Sequence, residues 1–170
     1  METSRIELVY WDACIFLAWL RDEKRPNNEM DGVEWAVRRI MKGQLRILTC
    51  ATTRQEIIAT KIGDEAEKKF SAFLDHKFVN FKDIDYPTSK LAGEIEEYYR
   101  KNEKAGSNKG MTPKDAQHLA SAIVHGVDAF HTFDEGNKGG LNLLGLDGNI
   151  AGYPLKICKP PLPSQRKLEI

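Results

Sequence analysis

Net charge is the first thing this chain lacks: 25 Lys and Arg stand against 25 Asp and Glu, leaving a formal charge of zero over 170 residues. No global field draws it to nucleic acid, so any such contact must come from local basic patches. Cysteine is scarce as well. Cys14, Cys50 and Cys158 are scattered and form no CxxC pair, which excludes a zinc knuckle and a disulfide framework. Each sits in an apolar, strand-like setting where a small core residue is expected. No apolar run reaches the length of a membrane span, and residues 1–7 lack the basic-then-apolar layout of a signal peptide. There are no internal repeats. The expectation is a cytoplasmic protein with no membrane contact. With 41% hydrophobic and 29% charged residues, it has the composition of a single globular domain with a proper core.

Strand and helix patterns alternate along the chain. Residues 6–12, 46–51, 78–81, 127–133 and 154–158 read as strands. Helical spacing appears over 13–21, 32–42, 65–76, 87–101 and 112–125, with a further helix opening at Thr53. Gly43 stops the second of these helices. Pro26-Asn27-Asn28 marks a loop inside the charged segment 21–31, and 102–110 and 136–148 read as polar and glycine-rich loops. Such alternation predicts a three-layer α/β domain with a mostly parallel central sheet over residues 1–158. Residues 159–170, with Pro160, Pro161 and Pro163, read as a poorly ordered C-terminal tail.

Four acids stand where a strand pattern ends or a helix pattern begins: Asp12, Glu56, Asp115 and Asp134. In a parallel α/β sheet those two places share one edge, because the helices run antiparallel to the strands. Each acid also has a local explanation. Asp12 suits an N-cap, and Thr53-Arg54-Gln55-Glu56 matches a capping box. Thr112-Pro113-Lys114-Asp115 puts Pro at N1 and Asp at N3, while Asp134 precedes a Glu-Gly turn. Together on one edge they point elsewhere, since clustered carboxylates are costly unless protons or cations compensate them. Oxygen ligands favour Mg²⁺ or Mn²⁺ over zinc, and such ions suit phosphoryl chemistry. The four histidines read as structural; Asp115-x-x-His118 spans one helical turn, but no further His follows at ligand spacing. Lys109, Lys114, Arg38 and Arg39 are candidate phosphate contacts, with solvated charge as their default reading.

Four segments in order, Val9-Tyr10-Trp11-Asp12, Thr52-Thr53-Arg54-Gln55-Glu56, Pro113 to Ala122 and Gly126 to Asp134, resemble the PIN-domain ribonucleases, including the VapC-type toxins of toxin–antitoxin systems. The resemblance spans residues 6 to 158. It implies a three-layer α/β/α PIN-like fold and a Mg²⁺- or Mn²⁺-dependent endoribonuclease. Asp12, Asp115 and Asp134 would hold the metal, with Glu56 as ligand or as orienter of the attacking water. RNA is the implied substrate; a small antitoxin protein and a homodimer are compatible partners. Ala13 departs from the pattern, which often has Asn, Ser or Thr after the first Asp, and Thr132 is the candidate to supply the missing hydrogen bond. The rivals are a PIN-like module that binds without cleaving, and a haloacid-dehalogenase-like phosphatase. The latter wants a second acid where this chain has Cys14.

Overall fold

The computed structural model describes residues 5–102, 110–136 and 141–163. Five strands, β1 (Leu8–Trp11), β2 (Arg46–Cys50), β3 (Val79–Lys82), β4 (Ala129–His131) and β5 (Ile157–Cys158), form one sheet in the order β3-β2-β1-β4-β5. Every pairing in it is parallel. Six helices connect the strands: α1 (Ala13–Leu20), α2 (Glu29–Met41), α3 (Ala51–Ala59), α4 (Asp64–Leu74), α5 (Tyr86–Lys101) and α6 (Pro113–Val124).

The short strands are apolar because both faces are covered, as a parallel sheet requires. Register turns their alternation into two rows of side chains. Val79, Ile47, Val9 and Ala129 align on one face, and Leu48, Tyr10, Phe130 and Ile157 on the other. The first row packs with residues of α1, α2, α3 and α4, including Phe16, Phe70 and Phe73 beside Trp11. The second packs with α5 and α6 and with Leu143, Ile150 and Leu155. Here Tyr10 stacks on Phe130 with ring centroids 5.0 Å apart. This is the three-layer α/β/α arrangement, with β1 at its centre.

Local chemistry accounts for the helix ends. The segment Ala13–Leu20 is apolar all round, so it is buried among α2, α3 and α4 rather than lying on the surface. Gly43 ends α2 at φ 69°, a left-handed turn that glycine adopts without strain. Two starts come earlier than the sequence pattern suggests. α2 opens at Glu29, not Gly32, because Glu29 and Asp31 place negative charge in its first turn. α3 opens at Ala51, directly after β2, with Cys50 as its N-cap and no side-chain cap bond. The capping box expected at Thr53–Glu56 therefore does not form, and Glu56 is free for other partners.

The chain beyond β5 is tied down before it leaves the described residues. Lys159 Nζ donates to Glu29 Oε1 at 2.5 Å and also to Glu135, while Pro160 is buried. A Cβ on Gly32 would overlap the carbonyl of Pro160, so α2 and the C-terminal segment meet backbone to backbone. Lys159 and Pro160, assigned to the tail by composition, thus pack against α2; residues 164–170 lie outside the described residues.

Buried Glu29 joins these parts through Lys159 and through Arg25 Nε at 3.0 Å. Burial alone would raise its pKa, but the Lys159 and Arg25 hydrogen bonds and charges outweigh it and hold Glu29 below the usual glutamate value. A lowered pKa contributes stability above the unfolded value of about 4.3 and loses it as pH falls through the folded value. Glu29→Gln is expected to cost about 1–3 kcal/mol at pH 7. Urea unfolding of both proteins across pH 7 to 3 should show that gap closing towards the acid end; a constant gap would mean that packing, not charge, holds the corner.

Candidate metal centre

All four acids line one cavity of about 420 Å³ at the C-terminal edge of the sheet, together with Cys14, Arg25, Phe133 and Glu135. The topology explains their meeting. Strand order reverses at β1, and the crevice outside the strand ends at such a reversal is where α/β folds place their sites. Asp12 ends β1 and caps α1, Asp134 lies beyond β4, and Glu56 is borne by α3 after β2. Asp115 stands in the first turn of α6, whose start lies at the same edge.

Each carboxylate is aimed by its neighbours. Asp12 is buried and accepts from Ala13 N at 2.7 Å on Oδ1 and from the Thr132 hydroxyl at 2.8 Å on Oδ2. Thr132 therefore supplies the bond that Ala13 cannot. The same hydroxyl accepts from Asp134 N at 3.0 Å, and Asp134 Oδ1 accepts from Gly136 N at 2.8 Å. One fully buried threonine thus sets the spacing between two acids. Cys14 Sγ lies 3.4 Å from Asp12 Oδ2 and 3.3 Å from Thr132 Oγ1, at the wall of the cavity rather than in the core as read from the sequence. Burial and the Asp12 charge push its thiol well up, so it stays protonated there.

At Asp115 the local and functional explanations both hold. Thr112 caps α6 by accepting from Asp115 N at 3.1 Å, and its hydroxyl donates to Asp115 Oδ2 at 2.6 Å. Burial raises the Asp115 pKa, and although Thr112 opposes this, the charges of Asp12 and Asp134 add to the rise. The acids repel one another, as a cluster awaiting a cation must.

His118, read from the sequence as structural, belongs to this cluster. It is 1% exposed, with Nε2 2.7 Å from Glu56 Oε2 and 3.6 Å from Asp12 Oδ1. Its Nδ1 lies 2.7 Å from the Tyr10 hydroxyl, which donates to Cys50 Sγ at 3.0 Å. With Nδ1–H donating to Tyr10, Nε2 faces the acids and in the imidazolium donates its own proton to Glu56; a cation bound at Nε2 would take the place of that proton. Burial disfavours the imidazolium, but bonds to Cys50 and Glu56 and the Asp12 charge outweigh it and raise the His118 pKa well above its usual value. Thr52 Oγ1 donates to Gln117 Oε1 at 2.7 Å, locking α3 to α6 beside the Glu56–His118 pair. The Asp115-x-x-His118 spacing was the available signal; what it lacked was the distant partner Glu56.

Asp12, Glu56 and His118 each offer one ligand atom, all within 4.8 Å of one another. Two carboxylates and an imidazole at that spacing, with Asp115 and Asp134 on the same cavity, fit a divalent cation.

The sequence matches the PIN domain family over residues 9–138. The chain belongs to the PIN-domain family. Solved structures agree in fold. VapBC2 from Rickettsia felis, bound to a DNA fragment from its promoter, superposes with a TM-score of 0.59 at 14% identity, covering 88% of this chain and 98% of that one. FitAcB from Neisseria gonorrhoeae gives 0.56 at 15% identity over 89% and 97%. VapC20 from Mycobacterium tuberculosis, described as a sarcin–ricin loop cleaving toxin, gives 0.53 at 12% over 75% and 90%. A comparison with curated protein sequences finds no match. Among the described residues no helix of this PIN domain is long and apolar enough to cross a membrane.

The basic residues fall elsewhere than expected. Arg39 binds Glu7 and the Gln44 carbonyl, which precede β1 and β2, so it sits at the opposite edge of the sheet. Arg38, in the last turn of α2, pairs with Glu34 near that same edge. Both are set aside as phosphate contacts, because the helix carries them away from the strand ends that bear the acids. Lys114 is exposed on the first turn of α6, and Lys109 lies outside the described residues.

Two substitutions test the cluster. Asp115→Asn keeps an oxygen for Thr112 and removes a repelled charge, so thermal unfolding without added metal should be unchanged or slightly higher in Tm. Mn²⁺ at about 100 times its Kd should stabilise the wild type by about 2.7 kcal/mol, and Asp12→Asn or Asp115→Asn should remove most of that gain. An undiminished Mn²⁺ response in both variants would place the ion elsewhere.

Proposed function

We propose that this PIN domain is a metal-dependent endoribonuclease, with Asp12, Asp115 and Asp134 holding Mg²⁺ or Mn²⁺. The observation that carries the reading is the gathering of Asp12, Glu56, Asp115 and Asp134 on one cavity at the strand ends, with His118 buried behind Glu56 and Asp12. A bound ion would lower the pKa of water and neutralise charge on the phosphoryl oxygens and the leaving oxygen. The residues themselves do the positioning. Thr132 and the Ala13 amide fix both oxygens of Asp12, and Thr112 fixes Asp115. Glu56, held by His118, is a ligand or the orienter of the attacking water, and His118 Nε2 can itself serve as a ligand. The carboxylates suit Mg²⁺ or Mn²⁺, and an imidazole in the donor set would make the site less selective for Mg²⁺.

Water attacks the phosphorus in line, the P–O3′ bond breaks, and a 5′-phosphate and a 3′-hydroxyl result. Unpaired RNA is the favoured substrate, since its backbone can bend into the cavity while A-form duplex holds its own away. A role as the toxin of a toxin–antitoxin pair, with a small antitoxin as partner, fits the fold's likeness to VapBC2 and VapC20. The rival non-catalytic module gains nothing from repelling carboxylates. The rival phosphatase lacks its second acid, since that position is Cys14.

The decisive experiment incubates purified protein with an RNA pool and Mn²⁺ and maps the new ends. EDTA-sensitive cuts at a few unpaired sites, with 5′-phosphate ends and a loss of at least about 10²-fold in Asp12→Asn, support the reading; ΔΔG‡ of about 2.7 kcal/mol corresponds to that factor. Equal cutting by wild type and variant indicates contamination. Binding without cutting of any RNA leaves the non-catalytic module.

A further inference from the structure

Among the described residues lining the acidic cavity, Arg25 is the one arginine or lysine. It comes from the charged segment between α1 and α2, which the sequence marks only as a loop. Its placement is built rather than incidental. The guanidinium lies 4.0 Å from the centroid of the Phe133 ring, next to Asp134. Nε donates to Glu29 at 3.0 Å, and Nη1 reaches Glu23 at 3.5 Å. Glu29 is shared, because its other oxygen takes Lys159, so it does not neutralise Arg25 alone. Glu23 is partly exposed and its pairing is long, hence screened. Among the described residues Nη2 has no partner.

A polyanion entering a ring of carboxylates meets repulsion on every side. A metal can offset it at the scissile group but not at the next phosphate along the strand. An arginine at the rim meets that need: once Nη1 gives up its 3.5 Å pairing with Glu23, the Nη1–Nη2 edge can match two phosphate oxygens. Being held already by Glu29 and Phe133, it loses little freedom on binding.

We infer that Arg25 grips a backbone phosphate of the RNA strand beside the scissile one, as a substrate-binding residue of this site. The inference rests on the nuclease reading above, and the experiment separates the two. Steady-state cleavage of an RNA with one mapped site is measured in Mn²⁺ for wild type, Arg25→Ala and Arg25→Lys, with binding of the same labelled RNA followed by fluorescence anisotropy. Arg25→Ala should raise KM about 10-fold with kcat within about twofold, and should flatten the salt dependence by roughly 0.7 in the log–log slope, one phosphate's share for a single strand. Arg25→Lys keeps the charge but loses the fork and should recover only part of the loss. An unaltered Mn²⁺-induced rise in Tm shows that the fold and the metal site are intact. Should Arg25→Ala not fold, the partial KM defect of Arg25→Lys decides.

Unchanged KM and slope in a folded variant overturn the assignment and leave the nuclease reading standing. RNA that is bound but never cut, with binding weakened in Arg25→Ala, sinks the nuclease reading and keeps Arg25 as a phosphate contact. No binding by the wild type overturns both.

Discussion

Carboxylate repulsion at the C-terminal edge of β1 is the constraint around which this protein is arranged. Five acids at one cavity, Glu135 included, are tolerable only if each is held by donors or faces positive charge. The structure supplies both. Thr132 and the Ala13 amide bind Asp12, Thr112 binds Asp115, and Gly136 binds Asp134. His118 brings a buried imidazole between Glu56 and Asp12. Burial first, and the Asp12 and Asp134 charges after it, raise the pKa of Asp115; a divalent cation would relieve the repulsive part.

Positioning these groups falls to the second layer of contacts. Tyr10 illustrates the economy: its ring is part of the core row of the sheet, stacked on Phe130, while its hydroxyl orients His118. The aromatic body packs and the polar tip reaches a partner, the usual division of labour for a buried tyrosine. Thr132 works similarly, being at once an extension of β4 and the hub between Asp12 and Asp134. Packing and site are therefore coupled through single residues.

The rim has a separate anchor. Glu29 ties the start of α2 to Arg25 and to the C-terminal segment through Lys159, which also reaches Glu135 on the cavity wall. The segment between α1 and α2 is thereby held at Arg25 and at the start of α2. A stretch that adds length beyond a compact domain becomes a wall of the cavity and brings it a cation.

Periodicity and helix-end chemistry determined the α/β alternation, because apolar spacing and caps are local properties of the chain. They also determined the existence of an acidic edge: strand ends and helix starts must share an edge in a parallel sheet, so Asp12, Glu56, Asp115 and Asp134 were legible as a group. Thr132 was legible too, as the residue that would replace a bond missing at Ala13. Local signals misled where one residue had two possible partners. Thr53 and Glu56 spell a capping box, yet β2 runs straight into α3 and leaves Glu56 to a histidine 62 positions away. Asp115-x-x-His118 was the one ligand spacing His118 carried; its nearer companions, Asp12 and Glu56, come from the end of β1 and from α3. Arg38 and Arg39 were candidate phosphate contacts and Arg25 went unremarked inside a charged loop, yet Arg39 reaches the far edge of the sheet and Arg25 the cavity. Such choices rest on contacts between distant segments, which only the folded chain brings within hydrogen-bond range.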